Sequence, residues 1–219
     1  MIAMIKIRNL FKTYENNTVQ AVNDLSLSID KGEIVALTGP SGCGKSTLLN
    51  ITGGLDRPDS GSIRIKDQEL SEYKSLPAYR SQIVGFVFQF HHLIPSLTLL
   101  ENVELPMYSQ QWSTKQRHKK ATDLLIEVGL EHRMHFFPPK VSGGERQRAA
   151  IARSMVNNPE IILADEPTGN VDSQTGQRVM GMLITWCLRM GTTLVIATHN
   201  PLIADMTQRT ICLQDGKTT

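Results

Sequence analysis

The stretch EIVALTGPSGCGKSTLLNITGGL, from Glu33 to Leu55, constrains the fold more than any other part of the chain. Its first residues form an unbroken apolar run, the pattern of a strand buried on both faces of a parallel sheet. A glycine-rich turn follows, and then a segment that reads as a helix. The pattern GxxxxGK[ST] is met in full by Gly39, Gly44, Lys45 and Ser46. Glycines let several backbone N–H groups crowd round phosphate oxygens. A lysine in this place supplies a point charge to the β- and γ-phosphates, and the serine hydroxyl suits Mg²⁺. The residues expected to bind a nucleotide are therefore Gly39, Pro40, Ser41, Gly42, Cys43, Gly44, Lys45, Ser46 and Thr47.

The rest of the chain supports an α/β fold built round this unit. IKIRNL and VNDLSLSI, within the first thirty residues, alternate with period two, as antiparallel strands with one wet face do. SGSIRIKD (60–67) reads as a turn and a short strand, and VGFVFQ (84–89) as a further strand. From Phe90 to about Asn158 the pattern is mostly helical. KKATDLLIEVGL stops at Gly129, and GERQRAAIARSMVNN is ended by Pro159. Strands return in EIILADEP, TTLVIATH and RTICLQDGK, with a helix over roughly 173–189 between the first two. Buried strands alternating with helices imply a parallel sheet covered on both faces. The expected organisation is one α/β core with an N-terminal antiparallel β part (1–89 and 159–219), interrupted by a helical insertion (90–158) able to move as a second lobe.

Charge and cysteine content narrow the classes of partner. The chain has 219 residues, 23 basic and 21 acidic, for a net charge of +2, so no nucleic-acid partner is expected. The local basic run STKQRHKK (113–120) reads as a solvated helix face. Cys43, Cys187 and Cys212 lie far apart and form no metal-ligand spacing. The N-terminus lacks the pattern of a signal peptide, and no apolar run approaches the roughly 18 residues of a membrane span.

Polar residues end three of the buried strands. Asp165 closes IILAD, where a carboxylate beside the phosphate loop suits Mg²⁺. Glu166 stands one position further, able to orient and deprotonate an attacking water. His199 ends TTLVIATH and reads either as a packed or capping histidine or as a donor to the γ-phosphate. Gln89 ends VGFVFQ, with an amide able to touch Mg²⁺ or that water. Tyr14 follows an early strand. By itself it reads as a half-buried strand tyrosine, the alternative being an aromatic platform for adenine. A second glycine turn, VSGGERQRAA from Val141, opens a helix and offers another anion site.

Taken together, these motifs resemble the ATP-binding-cassette (ABC) ATPases, the nucleotide-binding subunits of ABC transporters, over nearly the whole chain. The resemblance rests on the phosphate loop Gly39–Thr47, a Q-loop glutamine at Gln89, the signature VSGGE, the acidic pair Asp165–Glu166, the D-loop GNVD and the switch histidine His199. It implies a P-loop NTPase fold with a RecA-like core, an N-terminal antiparallel β subdomain and an inserted helical subdomain. It also implies ATP and Mg²⁺ as cofactors, with Glu166, His199, Lys45 and Gln89 catalytic and Ser46, Gln89 and Asp165 at the metal. Tyr14 becomes the adenine platform. In such ATPases two copies pack head to tail, so Ser142, Gly143, Gly144 and Glu145 meet the nucleotide of the partner copy, and Asp172 contacts the partner. The family's usual signature is LSGGQ; here Val141 and Glu145 replace its ends and leave the phosphate-facing Ser-Gly-Gly intact. Cys43 stands where many members have serine or glycine, which implies sensitivity to thiol reagents.

GFVFQFHHLIPSLTLLENVELPM and ADEPTGNVD resemble more narrowly the group of lipoprotein-releasing ATPases, macrolide exporters and the cell-division ATPase. That implies an integral membrane partner with few spans and a location on the cytoplasmic face of the membrane, with Phe90–Leu97 in the groove receiving the partner. An importer subunit, often longer at its C-terminus, and a soluble cassette protein acting on ribosomes or DNA, usually with two cassettes, are the alternatives. A regulatory ATP-binding module is opposed by the presence of Glu166 and His199.

Overall fold

The computed structural model describes residues 2–15 and 18–219. Two sheets carry the architecture. The smaller is antiparallel, in the order β2-β1-β4-β5, formed by β1 (Ala3–Tyr14), β2 (Val19–Asp30), β4 (Ser60–Ile65) and β5 (Gln68–Glu69). The larger has the order β10-β9-β3-β8-β7-β6, from β3 (Ile34–Thr38), β6 (Val84–Phe88), β7 (Ile161–Asp165), β8 (Thr193–Ala197), β9 (Arg209–Gln214) and β10 (Lys217–Thr218). Its β6, β7, β8, β3 and β9 run parallel, and β10 returns antiparallel on β9. The division of labour follows the residue patterns. In β1, Ile5 and Ile7 are buried while Lys6 and Arg8 are exposed, whereas every residue of β8 is buried.

Successive side chains of a strand point to opposite faces, and this alternation sorts the core into two clusters. On one face Ile161, Leu163, Val195 and Ala197 pack with Leu48, Leu49 and Ile51 of helix α1 (Lys45–Thr52) and with the inner side of the small sheet. On the other face Ile162, Ala164, Leu194 and Ile196 pack with Ala149, Ile151, Ala152 and Met155 of helix α5 (Gly143–Met155), and with Val179, Met180 and Leu183 of helix α6 (Ser173–Met190). Each fully buried aliphatic side chain contributes about 1.5–3 kcal/mol. The same strands thus serve both clusters, and α1 and α5 lie on opposite sides of one sheet.

Three elements depart from the sequence expectation. Helix α2 (Leu76–Gln82) was not anticipated; Ser75 caps it, accepting from Ala78 N at 3.3 Å, and a proline sits in its first turn. A further short helix, α7 (Pro201–Ala204), follows His199. The third departure corrects the helical reading that began at Phe90: residues 90–98 are irregular, and helix starts only at α3 (Leu99–Glu104). The reason is Asn102, fully buried, whose amide binds Ile94 N (2.7 Å) and the carbonyls of Ile94, Leu97 and Thr98 (3.1, 3.1 and 2.9 Å). It supplies the loop with the partners a helix would otherwise provide. Helix α4 (Thr114–Glu127) begins at a Ser113–Gln116 capping box, and Gly129, in the left-handed region at φ 69°, follows its end. The basic run on α4 is only partly a solvated face. Lys115 and Lys119 are exposed, but Arg117 lies over the Tyr108 ring and Lys120 over Trp112, at 4.2 and 4.8 Å.

Candidate active site

The turn between β3 and α1 is wedged between neighbouring backbones. Gly39 and Gly44 have φ of 142° and 101°. A Cβ at Gly39 would stand 2.1 Å from Leu213 O, and one at Gly44 would stand 2.1 Å from Ala21 O. Only glycine fits either place. Lys45 is buried and turns back over the loop, its Nζ donating to Gly39 O (2.8 Å) and Pro40 O (2.9 Å). Cys43 is buried beneath it, Sγ 3.6 Å from the same ammonium, so the exposed thiol that reagents need is not offered.

The ends of β6, β7 and β8 meet this loop at the same edge of the sheet. Asp165 lies between Phe88 and Ala197 in register, and its Oδ1 accepts from Ser46 Oγ at 3.0 Å. Burial pushes the Asp165 carboxyl up; the Ser46 hydrogen bond opposes this and the Glu166 charge adds to it. Glu166 adopts φ 44°, a left-handed conformation that a glutamate enters at a cost of about 1–3 kcal/mol. Its N–H donates to Ala197 O at 2.9 Å, which holds the kink. The kink sets Glu166 Oε1 2.8 Å from His199 Nδ1, so His199 is neither a core residue nor a helix cap. Gln89 leans on the loop after Glu166: a Cβ at Gly169 would meet its Nε2 at 2.7 Å, and its carbonyl accepts from Asn170 Nδ2 at 2.6 Å.

Tyr14 is partly exposed at the end of β1, with its phenol donating to Asp56 Oδ2 at 2.6 Å and Lys12 Nζ 5.0 Å from the ring centroid. Thr47, in the first turn of α1, is a further partner of that phenol.

The second glycine turn is built differently. Ser142 caps α5, its side chain accepting from Glu145 N at 3.2 Å, while Glu145 Oε2 accepts from Ser142 N at 2.7 Å. Arg133 Nε donates to Glu145 Oε1 at 3.2 Å. The Ser142 N–H, with Arg133 behind it, holds the Glu145 carboxyl below the usual glutamate range. Glu145 is thus committed to its own helix cap, a role open equally to glutamine. Val141 is buried, as the leucine it replaces would be. Gly143 sits under Asn170 O, which a Cβ would approach to 3.1 Å. Asp172 caps α6, accepting from Thr175 N at 3.0 Å.

At its far end α5 carries Arg153, which donates to the carbonyls of His91 and His92, both at 2.5 Å. These two histidines have φ of 61° and 47°, and only Phe90 separates them from Gln89. Sequence reasoning missed Arg153, Asn170 and Asp56; Asn170 lies within the GNVD motif and Asp56 in the acidic turn GGLDRPDS, whereas nothing along the chain marks Arg153.

A phosphate loop whose lysine and serine face a strand-end carboxylate, with a second capped glycine turn on the opposite face of the sheet, defines a cassette-type ATPase. The family model described as ABC transporter matches residues 22–169, and the chain belongs to that family. Similarity extends over full-length relatives. The lipoprotein-releasing system ATP-binding protein LolD of Cytophaga hutchinsonii is 44% identical over 218 residues, covering 99% of each chain. An ABC transporter ATP-binding protein of Bacillus subtilis, YknY, is 44% identical over 217 residues, covering 97% of this chain and 94% of its own. Among solved structures, the dimeric post-hydrolysis state of the ATP-binding cassette MJ0796, bound to ADP and Pi, superposes with a TM-score of 0.90 at 41% identity, over 98% of this chain and 96% of that one. The protein is an ATPase of the ABC class, an ATP-binding subunit similar to the LolD group.

Proposed function

We propose that two copies of this chain close head to tail around two ATP molecules, and that closure and hydrolysis drive a separate membrane subunit of the kind its lipoprotein-releasing relatives serve. One observation carries this reading: α1 and α5, each opening at a glycine turn suited to an anion, lie on opposite faces of one sheet. A single chain therefore cannot direct both helix N-termini at one phosphate, whereas a two-fold pair can. The nucleotide then acts as a bridge that vanishes on hydrolysis.

Within that pair each residue has a stated task. Loop amides of 39–47 and Lys45 hold the β- and γ-phosphates, for which Lys45 exchanges its present carbonyl partners. Ser46 and Asp165, hard oxygen donors already side by side, fit Mg²⁺, with Gln89 within reach of the same edge. The ion would draw charge from the phosphate oxygens as the bond breaks. Glu166 orients the attacking water and takes its proton, and His199 positions Glu166. Ser142, Gly143 and Gly144 face the partner's γ-phosphate, and Asp172 lies at the interface. Tyr14 stacks on adenine.

The membrane subunit would dock in a groove of about 290 Å³ lined by Phe86, Phe88, His92, Pro106, Arg153 and Asn157, which continues into 90–97. Residues 90–158 would move as a lobe against the rest. No helix among the described residues is long and apolar enough to cross a membrane, and a membrane partner would place this subunit on the cytoplasmic face.

Glu166→Gln tests the proposal. With hydrolysis blocked, ATP and Mg²⁺ should convert monomer to dimer on a sizing column, and Ser142→Arg added to it should abolish the conversion while the monomer still binds ATP. A Glu166→Gln protein that stays monomeric at saturating ATP sinks the sandwich. Isolated from its native membranes, the same variant should bring down a membrane protein with few spans and a large outer domain. A many-span permease with a solute-binding protein would make it an importer subunit instead.

A further inference from the structure

The stretch just beyond α1, DRPDS, carries two acids that the ATPase reading leaves unused. Leu55 N and Asp56 N both donate to Asn50 O (2.8 and 3.3 Å), so Asp56 hangs directly from the C-terminal end of the phosphate-loop helix. Its carboxylate divides between two residues of β1: Oδ2 accepts the Tyr14 phenol at 2.6 Å, and Oδ1 accepts Lys12 Nζ at 3.1 Å. Lys12 is further held by Arg57 O at 2.8 Å. Three residues on, Asp59 Oδ2 accepts from both Thr13 N (2.7 Å) and Thr13 Oγ1 (2.8 Å). Residues 12, 13 and 14 are therefore pinned one after another to the turn that follows α1. Burial pushes the Asp56 carboxyl up, but hydrogen bonds from Tyr14, Arg57 N and Lys12 outweigh it and leave it ionised below the usual aspartate range.

An unpinned tyrosine at a strand end has several rotamers, and a base that stacks on it must first select one. A phenol fixed by a charged acceptor avoids that cost, since charge-assisted hydrogen bonds are the strong ones. The acceptor hangs from the end of the helix that follows the phosphate loop, through Leu55 N and Asp56 N on Asn50 O, so it also ties the ring to that helix.

We infer that Asp56 is a positioning residue for the nucleotide base: it holds the Tyr14 ring and the Lys12 ammonium in the arrangement on which adenine stacks, and so sets the preference for a nucleotide over a base-free phosphate ester. The inference rests on Tyr14 being the adenine platform. Asp59 supports the same strand end without touching the ring.

Binding of ADP, which avoids dimerisation, tests it by calorimetry against ribose 5-diphosphate, which lacks the base. Tyr14→Ala should weaken ADP by about tenfold and leave ribose 5-diphosphate unchanged. Asp56→Ala should weaken ADP by about three- to tenfold, again without effect on the base-free ester, and the loss should vanish when Tyr14 is already alanine. Asp56→Asn, isosteric and still able to accept from the phenol, should recover part of the loss and serves if the alanine variant does not fold. Equal weakening of both ligands, or a loss that persists in the Tyr14→Ala background, would overturn the inference and make Asp56 a fold residue only. Unchanged ADP affinity in the Asp56 variants overturns it as well. If Tyr14→Ala itself leaves ADP unaffected, the adenine platform fails, and the positioning role with it.

Discussion

The two glycine turns look alike on paper and are unlike in construction. The phosphate loop is wedged between neighbouring backbones, with Gly39 and Gly44 in left-handed conformations where a Cβ would strike Leu213 O and Ala21 O. The signature turn has no left-handed glycine; it is a helix cap in which Ser142 and Glu145 satisfy one another's N–H groups. A loop whose shape is enforced by its own chain is a complete receptor. A capped helix end with two bare glycines is, in the proposed pair, half of one, with the other half supplied by a second molecule.

The largest effect is expected from chemistry that needs both halves. Glu166→Gln should lower ATP turnover by about 10²–10⁴-fold, measured as phosphate release, with ADP affinity retained. The second test sets one glycine against another. Gly44→Ala forces φ 101° on alanine and a 2.1 Å approach to Ala21 O, so a stability loss of more than about 2 kcal/mol in a urea melt is expected. Gly144→Ala meets side chains rather than backbone, the Thr175 methyl at 2.8 Å and Arg148 Nη1 at 3.8 Å, in an ordinary helical conformation where alanine is favoured by about 1 kcal/mol. Its melt should stay near wild type while ATP-dependent dimerisation falls. Equal melts for the two variants would erase the distinction.

Asp165→Asn gives a smaller effect with a definite sign. Burial raises the folded-state carboxyl above its unfolded value, so its contribution is fully present at low pH and is lost as pH rises through the folded pKa. At neutral pH the ionised group is a burden on the nucleotide-free protein. Asparagine should therefore raise the Tm without ligand while reducing the rise that Mg²⁺ and ATP give. Smallest of all, Glu145→Gln keeps the capping box and loses only the Arg133 ion pair, worth less than about 1 kcal/mol. Turnover should be nearly unchanged; a large loss would mean that Glu145 faces the partner after all.

What could be read from the sequence was whatever depends on neighbours along the chain. The alternation of Ile5 and Ile7 with Lys6 and Arg8 marks β1, the apolar runs mark β3, β7 and β8, and the phosphate loop carries its pattern in consecutive residues. What could not be read depends on residues far apart. The irregular path of 90–98 is dictated by Asn102 and Arg153, and a helical reading had no means of seeing either. The commitment of Glu145 to Arg133 and the tie of Tyr14 to Asp56 are tertiary facts of the same kind. The convergence of Ser46, Asp165, Glu166 and His199 was legible because each ends or follows a buried strand, and parallel strands deliver their ends to one edge.

Helix α5 has a consequence for how two copies converse. It is a rod of 13 residues, about 20 Å long. One end opens at Ser142, and the other grips, through Arg153, the backbone that leads from Gln89 to the groove lined by His92. In the proposed pair the near end touches the nucleotide of the other copy. Each groove then has two inputs: Gln89 ties it to its own site, and α5 ties it crosswise to the site of its neighbour. In a mixed dimer with one crippled phosphate loop, the groove that loses its α5 signal should belong to the intact copy.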